Sequence, residues 1–189
     1  MYDDLLFIMP VLETERLILR KLELKDSWDI FEYGRDPQVA RHVLWDAYTS
    51  EYEARRYIRY QQHKYRLREP ASWGIVFKET GKVIGTIGYM EYSEQNSTVE
   101  VGYSLAKEYW NRGIMTEALR KVIDYTFVEL GINRIEAQFE TTNPASGKVM
   151  AKCFMKYEGT MRQRLFNKGK YVDVSVYAIL RKDTRIETI

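Results

Sequence analysis

The stretch Tyr103–Ala118, YSLAKEYWNRGIMTEA, joins two different periodicities. Upstream, Ser97 to Leu105 alternates in a period of two, the mark of a strand. Downstream of Gly113, residues Ile114, Ala118, Leu119, Val122, Ile123, Thr126, Phe127 and Leu130 recur on one stripe of period 3.6 until Gly131 stops them, the mark of a helix packed on a sheet. The short connection holds Asn111, Arg112 and Gly113. A join of this kind aims free backbone N–H groups and the positive helix end at one point, with Gly113 allowing close approach and Arg112 adding charge. It is therefore a candidate phosphate cradle. It matches neither GxxxxGK[ST] nor GxGxxG, and no neighbouring acidic cluster offers to hold magnesium. A pyrophosphate bound through amides without a metal suits those features, and coenzyme A carries one.

Outward from this join, Arg16–Leu22 (RLILRKL) alternates charged and apolar residues and predicts one half-buried first strand. Asp26 offers an N-cap to SWDIFEYG, which Gly34 ends, and Asp36-Pro37 restarts a short helix. Ser50 with Glu53 forms a capping-box pattern for a third helix that ends before Pro70, with Ala54, Tyr57, Ile58, Gln61 and Tyr65 on its inner face. Ser72–Glu79, Val83–Tyr92 and Ser97–Leu105 read as strands separated by short turn signals, hence an antiparallel meander. After the long helix come a strand at Asn133–Thr142, a helix at Pro144–Lys152, and a hairpin of Tyr157–Phe166 and Tyr171–Arg181 about Asn167-Lys168-Gly169. A meander plus a strand-helix-strand crossover predicts an α+β fold with a mixed, mostly antiparallel central sheet covered by helices. Residues 1–189 show no repeat or linker and are read as a single domain.

Composition narrows the function classes. Among 189 residues, 45% are hydrophobic and 30% charged, enough to bury a core. The 29 Lys and Arg against 27 Asp and Glu give a net charge of +2, too small for a surface devoted to nucleic acid. The single Cys153 excludes an internal disulfide framework, and with only His42 and His63 no zinc spacing can be read, so no metal and a reducing, cytoplasmic setting are expected. The apolar run Leu5–Val11 is too short for a membrane span, lacks a basic segment before it and is expected to lead into the first strand.

The run from Glu100 to Gly159 resembles the coenzyme A core of the GNAT acetyltransferases, and in particular their ribosomal-protein N-terminal acetyltransferase branch. The resemblance rests on VEVGYSL, YWNRGIMTEAL and NPASGKVMAKC, followed by Tyr157-Glu158-Gly159, and it extends through ETERLILRKLELKD and WGIVFKETGKVIGTIGY. It implies a GNAT fold, acetyl-CoA as co-substrate, and direct transfer of an acetyl group to a primary amine. The acceptor it implies is a protein N-terminus, with small-molecule amines such as polyamines or aminoglycosides as the alternative. It further implies that backbone N–H groups of Asn111, Arg112, Gly113, Met115 and Thr116 hold the phosphates. Tyr103 and Leu105 then lie along the coenzyme where the strand splays, with the Leu105 N–H polarising the thioester carbonyl. Asn143 and Ser146 match the pair that contacts the pantetheine arm and the leaving sulfur. Asn143 before Pro144 is also a good helix-capping signal.

Three positions depart from the family pattern. Met115 replaces the small residue ending Q/R-x-x-G-x-G/A, and binding survives if its side chain enters the helix-sheet contact. Met150 stands where many relatives carry a tyrosine as general acid, which leaves thiolate protonation to Ser146 or water. Phe154 replaces a glycine and is expected to change the turn after the last helix. Glu100, alternating away from Val99, Val101 and Tyr103, is the candidate general base, because a carboxylate among apolar neighbours can hold a raised pKa. Catalysis by Cys153 has little support, and no motif places either histidine. The Arg and Lys residues from Arg55 to Arg68 read as a solvated basic face or as a surface for an acidic partner. The 15 tyrosines supply candidates for an acceptor groove or a homodimer surface. A non-catalytic acyl-CoA-binding module is the competing reading.

Overall fold

The computed structural model describes residues 7–184, so Leu5 and Leu6 of the apolar run lie outside the described residues. Eight strands form one sheet in the order β1-β2-β3-β4-β5-β6-β8-β7. They are β1 (Leu12–Glu13), β2 (Leu17–Arg20), β3 (Ser72–Phe77), β4 (Val83–Ser93), β5 (Thr98–Leu105), β6 (Arg134–Glu140), β7 (Lys156–Asn167) and β8 (Lys170–Leu180). The helices are α1 (Ser27–Gly34), α2 (Pro37–Ala40), α3 (Glu51–Leu67), α4 (Ile114–Val128) and α5 (Pro144–Lys152). The meander β3-β4-β5 is antiparallel, and the crossover through α4 makes β5 and β6 the parallel pair. The expected architecture is therefore present, with element ends displaced by a residue or two.

Two local readings need correction. The expected single strand Arg16–Leu22 contracts to β2 and gains a partner, because the Leu17 N–H donates to Thr14 Oγ1 at 3.0 Å and the chain reverses to bring β1 alongside. Asp26 stands before α1, but its side chain makes no capping bond to that helix and instead closes the short turn before it. Its carboxylate takes both terminal nitrogens of Arg20 at 2.7 and 2.8 Å and the Glu23 N–H at 2.8 Å. A guanidinium that binds both oxygens outcompetes a single helix N–H.

The parallel pairing of β5 with β6 covers only Thr98–Glu100 against Arg134–Glu136. Beyond it the two strands part, while β5 stays paired to β4 out to Leu105 and β6 stays paired to β8 out to Glu140. A register shift at Met90, between Tyr89 and Glu91, adds one residue to β4 beside the parting point. The sheet thus opens into a wedge between its two halves.

Helix α4 closes one face of the sheet with the stripe read from sequence, which is buried throughout, as is the added Met115. Its contact with the sheet includes one polar link: the Tyr89 hydroxyl lies 2.6 Å from Thr126 Oγ1, which donates to the Val122 carbonyl at 2.6 Å. In α3 the expected inner face is buried or half-buried, and Glu53 accepts the Thr49 and Ser50 N–H groups at 2.7 and 3.2 Å, as the capping pattern predicts. Because Thr126 keeps its Val122 acceptor when the tyrosine hydroxyl is removed, Tyr89→Phe is expected to lower stability by only about 1 kcal/mol in urea denaturation.

Candidate active site

The parted strands hold open a cleft of about 520 Å³. One wall is the end of β5, Tyr103–Leu105; a second is the following loop and the start of α4; a third is α5 with Asn143; and α2 with its trailing loop closes the far side. Of the residues expected in the site, Tyr103, Leu105, Asn111, Gly113, Met115, Thr116, Asn143 and Ser146 all line this cleft.

Left-handed backbone shapes the loop before α4. Asn111 has φ 58° and Gly113 φ 74°, and Gly113 caps the helix. Successive N–H groups in such a turn converge, and the first turn of α4 adds its unpaired donors. Met115 turns inward and is only 5% exposed, so its bulk stays out of the loop. Arg112 does not line the cleft; its guanidinium packs over the rings of Phe77 and Tyr109 at 5.7 and 5.3 Å. The Arg112 charge is therefore spent on the rings beside the loop and not on the cleft.

A strap from the edge of the sheet fixes the loop. Arg16 donates through Nε and Nη2 to Glu117 Oε2, both at 2.7 Å, and through Nη1 to the Arg112 carbonyl at 3.0 Å. Thr14 Oγ1 and the Arg16 N–H donate to the other oxygen of Glu117 at 2.6 and 3.0 Å. Burial pushes the Glu117 pKa up, but these hydrogen bonds prevail and hold it below the ordinary carboxylate value.

At the end of β5, the Ala106 N–H donates to the Ile84 carbonyl at 2.8 Å. In the antiparallel register Leu105 opposite Gly85 is then a non-hydrogen-bonded pair, so the Leu105 N–H points away from β4, toward the side β6 has left. The Trp110 indole N–H donates to the Leu105 carbonyl at 2.8 Å and pins the strand end. The preceding side chains face different surroundings. Tyr103 donates its hydroxyl proton to the Ser146 carbonyl at 3.0 Å, and Ser146 Oγ donates to the Tyr103 hydroxyl at 3.0 Å. Burial raises the Tyr103 pKa, so this hydroxyl keeps its proton at neutral pH.

Met150, where a tyrosine was absent from the motif, is buried, so the hydroxyl meeting α5 comes from Tyr103 instead. Asn143 precedes α5 without a side-chain capping bond, and its carboxamide remains half-exposed at the cleft. Phe154 stands in left-handed backbone at φ 63°, the conformation a glycine adopts without cost, with the Arg120 guanidinium over its ring. Cys153 is buried and its thiol is pushed up to about 11 by burial, which leaves it inert as a nucleophile at neutral pH.

Glu100 is not brought to the cleft. Burial, with Glu91 and Glu136 nearby, raises its pKa, while Gln138 Nε2 donates to it at 2.9 Å. Five residues of strand, about 17 Å, separate it from Leu105. The basic residues of α3 also lie outside the cleft lining. Sequence reasoning missed His42, which lines the cleft beside Gln38 and Val39 and pairs with Glu140 from 98 residues away, a separation no local motif marks.

A wedge in a mixed sheet, a donor loop at a helix start and a strand N–H turned away from its antiparallel partner are thus gathered at one cleft of an α+β scaffold. The chain belongs to the GNAT acetyltransferases: the acetyltransferase (GNAT) domain matches residues 16–156. Over 175 residues it is 35% identical to an uncharacterized N-acetyltransferase, p20 of Bacillus licheniformis, covering 93% of this chain and 98% of that one. It is 25% identical over 182 residues to the ribosomal protein uS5 alanine N-acetyltransferase of Escherichia coli, covering 91% of each. A solved ribosomal L7/L12 α-N-protein acetyltransferase in complex with coenzyme A superposes with a TM-score of 0.82 at 20% identity, covering 90% of this chain and 98% of that one.

Two outcomes test the cradle. Gly113→Val should weaken coenzyme A binding by at least tenfold in calorimetry, because a β-branched residue resists φ 74°. Glu117→Gln should lower stability at neutral pH and flatten its pH dependence in acid. The sign follows from the lowered pKa of Glu117: the stabilisation is present above the ordinary carboxylate value and is lost as pH falls through the folded-state pKa. Urea midpoints measured from pH 7 down to pH 3 would check both parts.

Proposed function

We propose that this N-acetyltransferase uses acetyl-CoA and transfers the acetyl group directly to the α-amine of a protein N-terminus, of the kind ribosomal proteins present. The reading rests chiefly on the Leu105 N–H, turned away from β4 and facing the same cleft as the left-handed loop at Asn111 and Gly113. Acetyl-CoA supplies an activated acyl carbonyl with a thiolate as leaving group.

The backbone N–H groups of Asn111, Arg112, Gly113, Met115 and Thr116 would hold the pyrophosphate, aided by the positive end of α4. The uncommitted Asn143 carboxamide suits the amides of the pantetheine arm. Leu105 would then donate its N–H to the acyl oxygen as negative charge develops there, an interaction worth ~3 kcal/mol at the transition state. Ser146, already bonded to Tyr103, would pass a proton to the departing sulfur. Tyr103 can follow by sharing its own proton, a route that the buried Met150 cannot provide.

The acceptor reading is supported by the names of the ribosomal-protein acetyltransferases that this chain resembles and by amine chemistry. An α-amine with a pKa near 8 is ~10% neutral at pH 7, whereas a lysine amine is under 0.1% neutral. Thiol release from acetyl-CoA, followed with peptides beginning in alanine or serine and with spermidine and kanamycin, tests the proposal. The peptides should be turned over fastest. Faster turnover of a small amine would replace the acceptor, and release no greater than hydrolysis with every amine would leave a coenzyme-binding module.

A further inference from the structure

A second group of titratable side chains reaches the cleft from the side opposite the phosphate loop. His42, in the loop after α2, lines the cleft, and its Nδ1 stands 3.1 Å from Glu140 Oε2 at the end of β6. The Glu140 side chain is 5% exposed and that of His42 19%. The other Glu140 oxygen accepts from Asn167 Nδ2, and Thr142 Oγ1 lies 3.4 Å from Oε2. Burial pushes the Glu140 pKa up, yet the bonds from Asn167 and His42 outweigh it and keep the carboxylate ionised at neutral pH. An ionised carboxylate only accepts, so Nδ1 of a neutral imidazole carries the proton and Nε2 keeps its lone pair.

Among the described residues no carboxylate lines the cleft; Arg41, Lys148 and Lys152 are the other basic side chains that do. Lys168, beside Asn167 in the β7–β8 turn, is engaged with the Trp45 carbonyl at 2.9 Å and Asp46 at 3.0 Å. Asn167 also donates to the Val43 carbonyl at 3.4 Å. The turn thus anchors the loop that carries His42, which fixes the ring before any acceptor arrives.

We propose that His42, oriented by Glu140, is the base that takes the proton of the acceptor ammonium. This rests on the acetyl-transfer reading of the same cleft. The ammonium gives one proton to Nε2, and its freed lone pair forms the C–N bond with the thioester carbonyl, whose oxygen the Leu105 N–H holds. As the carbonyl re-forms, the C–S bond breaks with its electron pair on sulfur. The nitrogen sheds a second proton as it becomes an amide. Of these two protons, one is balanced by the proton that sulfur gains through Ser146 and Tyr103, and the other leaves for solvent from the imidazolium.

The test uses the full chain, acetyl-CoA and an alanine-initiated peptide. His42→Ala should lower kcat about a hundredfold, near the lower end for base catalysis, and abolish the ascending limb of the pH–rate profile that the wild-type base imposes. Added imidazole should restore part of the rate, and coenzyme A affinity should stay unchanged. Glu140→Gln should also slow turnover, and the double variant should be no slower than His42→Ala alone, since the two act as a unit. An unchanged profile, a loss without imidazole rescue, or an ascending limb removed by Glu100→Gln instead would overturn the assignment. Nitrogen NMR of the imidazole, assigned with His42→Ala, reads the tautomer whether or not the peptide is acetylated. A proton on Nδ1 that is lost to Nε2 in Glu140→Gln is expected, and a wild-type ring protonated at Nε2 with Nδ1 bare would overturn it. Absence of thiol release alongside the expected tautomer would count against the acetyl-transfer reading and not against the geometry of the pair.

Discussion

The brevity of one strand pairing governs this molecule. Three residues of β5 run beside three of β6, and then each strand follows its antiparallel neighbour away from the other. A longer parallel ladder would have satisfied the Leu105 N–H within the sheet and filled the space in which the cleft lies. The parted strands instead leave a backbone donor uncommitted, at a cost that solvent or a ligand must relieve. Everything else at the cleft sits around that gap: the helix start on one side, α5 with its hydroxyl partner on another, and the loop after α2 across the opening.

The chemistry gathered there depends little on charged side chains. Arg112 spends its guanidinium on aromatic rings, and the loop offers backbone donors at left-handed residues. The Tyr103 hydroxyl donates to the Ser146 carbonyl and accepts from Ser146 Oγ, and the Trp110 indole holds the strand end by its carbonyl. Oriented dipoles in a partly dry cleft act on developing charge without the desolvation that a fixed ion demands. Glu140 is enclosed, does not line the cleft itself, and is paired with the imidazole of His42, which does.

The parts of this arrangement that obey local rules could be read from the chain. The stripe of α4 is set by a 3.6 period and emerged on the expected face, and the meander follows from three strand-like runs separated by short turns. Gly113 marked its own left-handed position, and the Pro144 helix has the expected ends. Long-range competition was less legible. Asp26 looked like a cap for α1 until Arg20 claimed it, and the reversal at Thr14 that creates β1 is closed by paired backbone and hydroxyl bonds to Leu17. Glu100 carries the alternation expected of a half-buried carboxylate, but strand rise along β5 removes it from the cleft. The pairing of His42 with Glu140 joins residues with no shared periodicity, so only the closed tertiary structure reveals it.

The strap from Arg16 to Glu117 links chain segments 101 residues apart, and this separation bears on assembly. The loop before α4 is local in sequence, yet its outer side is held by the edge of the sheet formed at the start of the chain. A folding intermediate that had built the meander and α4 but not docked β1 and β2 would own the helix start without its clamp. With the coenzyme at the loop as proposed, ligand occupancy there and amide protection along the edge strands would be thermodynamically coupled. Fraying of the outermost hairpin would then loosen a grip exerted on the far side of the strap.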